Sequence, residues 1–131
     1  MKTILQIAIG FVVAGVILAG SAFASEQTAY SPERFARAQL SGSPVLVDIA
    51  ASWCPVCKVQ ATVVHQALAE PAFSHFVVLD LDFDTQKDAV RRFGATMQST
   101  LIIFKGKKEV ARVVGATDPD VIEAMMRRAT D

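Results

Sequence analysis

Cysteine is scarce in this chain: there are two, at positions 54 and 57, among 131 residues. A single pair cannot build the dense framework of bridges that holds small secreted domains together. Nor can two thiolates alone complete a four-ligand zinc site, and His65 and His75 stand at no regular spacing from them. Both histidines read as solvated surface residues. Charge of one sign is lacking too, with 13 basic and 13 acidic residues. That balance gives no electrostatic footprint for nucleic acid. Low-complexity tracts, internal repeats and long charge runs are absent. The organisation therefore has to be read from hydrophobic periodicity and turn signals.

The long apolar run stands at the start. Residues 1–24 carry Lys2, an apolar stretch over 4–18 and the small-x-small end Ala22-Phe23-Ala24, the pattern of a signal peptide with its cleavage site. The alternative is an uncleaved anchor through residues 4–20, since a run of about 20 apolar residues is long enough to cross a bilayer. Either outcome carries residues 25–131 out of the cytosol, to the periplasm or another exported compartment. A disulfide is stable there. Setting Lys2 aside leaves 12 basic against 13 acidic residues, and residues 25–131 are enough for one compact domain and too few for two.

Residues 25–30 are polar and read as a loose tail. Ser31-Pro32-Glu33 has the N-cap, first-turn proline and first-turn acid of a helix that ends near Ser41-Gly42. Pro44 stops it, and PVLVDIAAS (44–52) follows as a strand covered on both faces, with Asp48 its anomaly. From 55 to 69, Val56, Val59, Val63 and Ala67 recur at three-to-four spacing beside Val64 and Leu68, the mark of an amphipathic helix. HFVVLDLD (75–82) is a second strand; Asp84 is expected to cap a helix over 85–93, with Gly94 behind it. Residues 100–104 and 110–114 flank a hairpin, and Thr117-Asp118-Pro119 opens a last helix to about 129. The order α-β-α-β-α-β-β-α predicts an α/β domain: a mixed sheet of about four strands with helices on both faces. Phe73, Phe76, Phe83, Phe93 and Phe104 are assigned to its core.

Cys54 falls at the carboxyl end of the first strand and Cys57 in the first turn of the next helix. Unpaired N–H groups and the positive end of the helix dipole stabilise a thiolate at the first position. Cys54 is therefore the expected nucleophile, and Cys57, one turn inward, resolves a mixed disulfide by attacking Cys54. Pro55 fits the first helical position without losing a hydrogen bond. A purely structural disulfide is the plainer alternative, but so short a loop constrains the unfolded chain little.

Strand, W-C-x-x-C-K, helix, strand, helix, then STLIIFKG (99–106) and EVARVVG (109–115) resemble the thioredoxin fold over nearly all of residues 25–131. The most specific stretch, VDIAASWCPVCK (47–58), is similar to thioredoxins and to the C-terminal domain of DsbD-type transmembrane reductases. The resemblance implies that Asp48 is the buried carboxylate that manages the proton when Cys57 attacks; burial would raise its pKa and suit it as a general base. It implies a partner surface made by Trp53, Pro55 and the loop of Met97, Gln98, Ser99 and Thr100. Two departures stand out. Ser99 occupies the position of the family's cis-proline, and since a cis bond before a non-proline residue costs about 2.5–4 kcal/mol, the Gln98–Ser99 bond is expected to be trans. Asp80 stands where thioredoxins carry a lysine near the buried acid. Asp80, Asp82 and Asp84 alternate along one strand face and read as a solvated strand end and helix cap, not a calcium site.

The resemblance also implies activity and partners: a thiol–disulfide oxidoreductase acting on protein disulfides, without a metal or small-molecule cofactor because the dithiol carries both electrons. A membrane electron donor of the DsbD or CcdA type would re-reduce it, and a monomer is the expected unit. Pro55 after Cys54 recurs in oxidising members of the superfamily, whereas the buried acid favours a reductant, which is the direction expected here. The alternatives are an oxidising or isomerising protein, and a metal-handling or protein-binding module on the same fold.

Overall fold

A computed structural model describes residues 25–131 of the protein. The expected leader, cleavage site and anchor within residues 1–24 lie outside the described residues. Ten elements follow in order: β1 (Glu26–Ala29), α1 (Pro32–Ser41), β2 (Val45–Ala50), α2 (Pro55–Leu68), a single 3-10 turn (Pro71–Phe73), β3 (Val77–Asp82), α3 (Lys87–Arg92), β4 (Thr100–Lys105), β5 (Lys108–Val114) and α4 (Pro119–Arg127). The sheet order is β1-β3-β2-β4-β5. The first three strands run parallel, and β4 and β5 add antiparallel. This is the mixed α/β sheet with helices on both faces that the order of elements predicts, with five strands where about four were expected.

Alternation along β2 divides the interior. Val45, Val47 and Ile49 turn to one face and pack with Leu79, Leu81, Ile102 and the α1 and α3 residues Ala38, Ala89 and Val90. Leu46 turns to the other, with Val78, Leu101 and Ile103, under Val63, Val64, Ala67 and Leu68 of α2 and Ile122 and Met126 of α4. Asp48, two residues from Leu46, belongs to the α2 face. Both faces of β2 are covered, which is why its sequence is continuously apolar around one acid.

The local stop signals act as expected at α1. The Ser31 hydroxyl accepts from the Arg34 N–H at 3.2 Å, and Gly42 closes the helix with φ of 80°, a conformation that costs glycine nothing.

Two expectations need correction. Residues 26–29 are not a loose tail but a fifth strand on the sheet edge, in parallel register with β3 from Glu26↔Val77 to Ala29↔Asp80. Backbone hydrogen bonds such as Tyr30 N–H to Asp80 O (2.8 Å) hold it, and its side chains are mostly exposed, so no apolar pattern marks it. The third helix begins at Lys87, not 85, and Asp84 does not cap it. The helix has no side-chain cap; Asp82 instead closes the turn before it, its Oδ1 accepting from the Asp84 and Thr85 N–H groups (2.9 and 2.8 Å) and the Thr85 hydroxyl (2.9 Å). Those three bonds hold the Asp82 carboxyl below the usual carboxylate range.

Candidate active site

Chain direction reverses between β2 and α2, and Cys54 is the N-cap of that helix. Its N–H bonds Ala51 O at 3.1 Å, Pro55 takes the first helical position, and the Cys57 N–H donates to Cys54 Sγ at 3.1 Å. The helix N-terminus thus directs a donor at the Cys54 sulfur, the arrangement that favours a thiolate when the bond is reduced. Cys54 and Cys57 form a disulfide, with Cα atoms 5.3 Å apart. Both are buried, beside Ala51 and against Ala50 and Phe83.

Asp48 lies on the same side of the sheet as α2. It is buried, its Oδ1 has no hydrogen-bond partner among the described residues, and its neighbour across the parallel ladder is Asp80. Burial first, and the Asp80 charge second, push its pKa from 3.8 to about 7. Burial also raises Asp80, while Gln27 Nε2 of β1 donates to both its oxygens (3.1 and 3.2 Å) and opposes that rise. Asp48 and Cys57 open onto one cleft of about 430 Å³, whose other walls include Gln27, Lys58, Ala61 and Asp80. A carboxyl that titrates near neutrality, sharing an open cleft with Cys57, can exchange a proton with it.

Trp53 projects from the turn, 59% exposed, and its indole N–H donates to Asp84 Oδ2 at 2.8 Å. Instead of capping α3, Asp84 fastens the loop after β3 to the cysteine turn. Asp80, Asp82 and Asp84 therefore go to three separate tasks. Among the described residues no group of three His, Cys, Asp or Glu side chains is placed to hold a metal ion.

In the loop before β4, Met97 is 52% exposed, Gln98 half-buried, and Ser99 and Thr100 buried. No described peptide bond is cis, so Gln98–Ser99 is trans, as the missing proline implies. The backbone turns another way: Ser99 has φ of 54°, the sole non-glycine residue in that region among those described. Its hydroxyl donates to Gln98 O (2.6 Å), and Thr100 Oγ1 donates to Met97 O (2.8 Å). Ser99 O accepts from Gly115 N–H (2.8 Å) and from Gln60 Nε2 (3.3 Å).

Gln60 and Gln27 escape the sequence reading. Gln60 left a signal, a polar residue three positions after Cys57 on the buried stripe of an amphipathic helix. Gln27 left none, because its partner is set by a strand pairing that composition does not mark.

A family model described as Thioredoxin matches residues 27–128. The thioredoxin of Mycobacterium bovis is 38% identical over 91 residues, 70% of this chain and 75% of that protein. The thioredoxin of Chlamydia muridarum is 37% identical over 98 residues, 75% of this chain and 93% of that protein. Among solved structures, Trxlp from Edwardsiella tarda EIB202 superposes with a TM-score of 0.74 at 42% identity, covering 78% of this chain and 98% of the other.

Proposed function

Because the chain belongs to the thioredoxin family of thiol–disulfide oxidoreductases, we propose that it reduces protein disulfides through Cys54 and Cys57, with Asp48 as proton acceptor and donor. The observation that carries this reading is the placement of Asp48. It is a buried carboxyl with a pKa of about 7, open to the same cleft as Cys57.

The reaction starts from the dithiol. The Cys54 thiolate, held by the Cys57 N–H and the helix terminus, attacks one sulfur of a substrate disulfide; that S–S bond breaks and the first substrate thiolate leaves, taking a proton from solvent. Asp48 accepts the Cys57 proton through the cleft. The Cys57 thiolate then attacks Cys54 Sγ, forming the Cys54–Cys57 disulfide and expelling the second substrate thiolate, which takes up a proton. Two electrons have passed from the dithiol to the substrate. An external dithiol reverses the sequence to recharge the protein. With its pKa raised to about 7, Asp48 can both take up and release a proton near neutral pH, so it serves both directions.

The finer parts of the proposal rest on the sequence and its resemblance. The leader pattern of residues 1–24 supports action in the periplasm or another exported compartment. The likeness of VDIAASWCPVCK to the C-terminal domain of DsbD-type reductases supports the reducing direction. It also supports a membrane donor of the DsbD or CcdA type, and the protein would work as a monomer. Equilibration in glutathione and dithiothreitol buffers with thiol quantitation tests the direction: a potential of about −270 mV fits a reductant, and one of about −120 mV replaces it with an oxidant.

A further inference from the structure

The most unusual side chain outside the reacting groups is Gln60. It sits one turn beyond Cys57 on α2, is fully buried, and is the only polar residue of that helix on the core face. Its Nε2 bridges two loops, donating to Ser99 O at 3.3 Å and Ala116 O at 2.9 Å. The amide can point only this way, because carbonyl oxygens accept from its NH2 group and would repel its oxygen. Its Oε1 has no partner among the described residues. An apolar side chain would fill the space without burying that oxygen, so what this position uses is the pair of amide hydrogens.

What the amide holds is strained. Ser99 is in the left-handed region at φ 54° and is buried, without the freedom of glycine. Such a conformation persists where its surroundings over-determine it. Here Ser99 O is gripped from two sides, by Gln60 and by the N–H of Gly115, itself at φ 70°. Thr100, next in the chain, pairs with Val114 on β5 and Ile49 on β2. The clamp thus joins the cysteine helix, the loop before β4 and the end of β5. Trp53, Val56 and Met97 leave apolar surface on the turn, the helix and the loop that it holds together.

We propose that Gln60 is a positioning residue for protein substrates: by fastening Ser99 and Ala116 to α2, it fixes the residue 97–100 loop, which enters β4 opposite the end of β2 that leads into the cysteine turn, in the conformation that receives a peptide chain. The proposal rests on the oxidoreductase reading above. It assigns Gln60 no contact with the reacting sulfurs and no part in the electron balance. Its effect falls on extended substrates that need the loop, and small disulfides that reach Cys54 without it are spared.

The test uses the full chain with Gln60→Leu and, as a second apolar filler in case the first packs poorly, Gln60→Met. In the oxidised protein, loss of the clamp accelerates exchange of the Gly115 amide hydrogen by about tenfold or more, while amides in the centre of β2 keep their protection. With insulin as protein disulfide, KM rises about tenfold and kcat stays within about twofold. The rate with 5,5′-dithiobis(2-nitrobenzoate) and the reduction potential stay at wild-type values. Unchanged Gly115 exchange or an unchanged insulin KM overturns the proposal. So does a parallel loss on both disulfides or a moved potential, which would assign Gln60 to the redox chemistry or to folding alone. Wild-type protein inert toward both disulfides would sink the oxidoreductase reading and the docking role with it, whereas the exchange result speaks only to the clamp.

Discussion

Replacing Asp48 with asparagine removes a buried charge while keeping its shape, and its consequences for stability can be worked out with their sign. The folded-state pKa of Asp48 is about 7 against an ordinary value of 3.8. Between those two pH values the folded protein holds a proton that the unfolded chain has released, so stability falls as pH rises through this window. At 1.36 kcal/mol for each tenfold step, the gap amounts to about 4 kcal/mol lost by the wild type between pH 4 and pH 8. Asp48→Asn has no proton to lose there. The oxidised variant is therefore expected to match the wild type near pH 4 and to exceed it by about 2–4 kcal/mol at pH 8. Asp80, also raised by burial, pulls both proteins the same way, and Asp82 and Glu109, held low by their hydrogen bonds, pull both the other way. These contributions cancel in the difference, apart from the Asp48–Asp80 repulsion that the substitution removes. Urea unfolding of both oxidised proteins at half-unit pH intervals measures it. Parallel curves, with no gap opening above pH 6, would refute the placement of a destabilised carboxyl behind the disulfide. The same variant should lose activity where it gains stability, with a resolving step slower by about 10²-fold or more at pH 7.

Asp80→Asn removes the like charge beside Asp48 and should lower the Asp48 pKa, read from its carboxyl carbon resonance; an unmoved titration would disconnect the two acids. Cys57→Ser should accumulate a mixed disulfide between Cys54 and a substrate thiol, visible by mass spectrometry, whereas Cys54→Ser should accumulate none; trapping on Cys57 would reverse the two roles. Ser99→Gly should stay within about 1 kcal/mol of wild type, because glycine accepts the left-handed conformation, while Ser99→Val should cost about 2 kcal/mol or more through strain and overpacking at a buried site. Equal urea midpoints for the two would contradict the Ser99 geometry.

Much of this architecture was legible where one residue type had one reason to be present. An acid inside an otherwise apolar strand pointed to a buried carboxyl, and Pro55 with the apolar spacing behind it pointed to a helix starting at the cysteine pair. The mixed sheet followed from helix-separated strands and one hairpin. The misses have a common cause, in that a backbone partner decides them. Glu26–Ala29 pairs through main-chain groups with exposed side chains, so nothing in its composition separates it from a tail. Asp84 reads as a cap by its residue type alone, but the Trp53 indole and Lys87 take its two oxygens and the helix starts at Lys87 without a side-chain cap. The missing proline at position 99 foretold a trans bond but not the positive φ, which depends on acceptors and donors contributed by α2 and the end of β5.

The proposed chemistry depends most on Cys54 being ionised by the opening turn of α2. Alkylation of the fully reduced protein by iodoacetamide across pH, with each cysteine assigned by mass spectrometry, measures this directly. Cys54 should react first, with a midpoint below the ordinary thiol value of about 8.5, and Cys57 should lag behind it. Equal rates at the two positions, or a Cys54 midpoint at or above that value, would contradict the account.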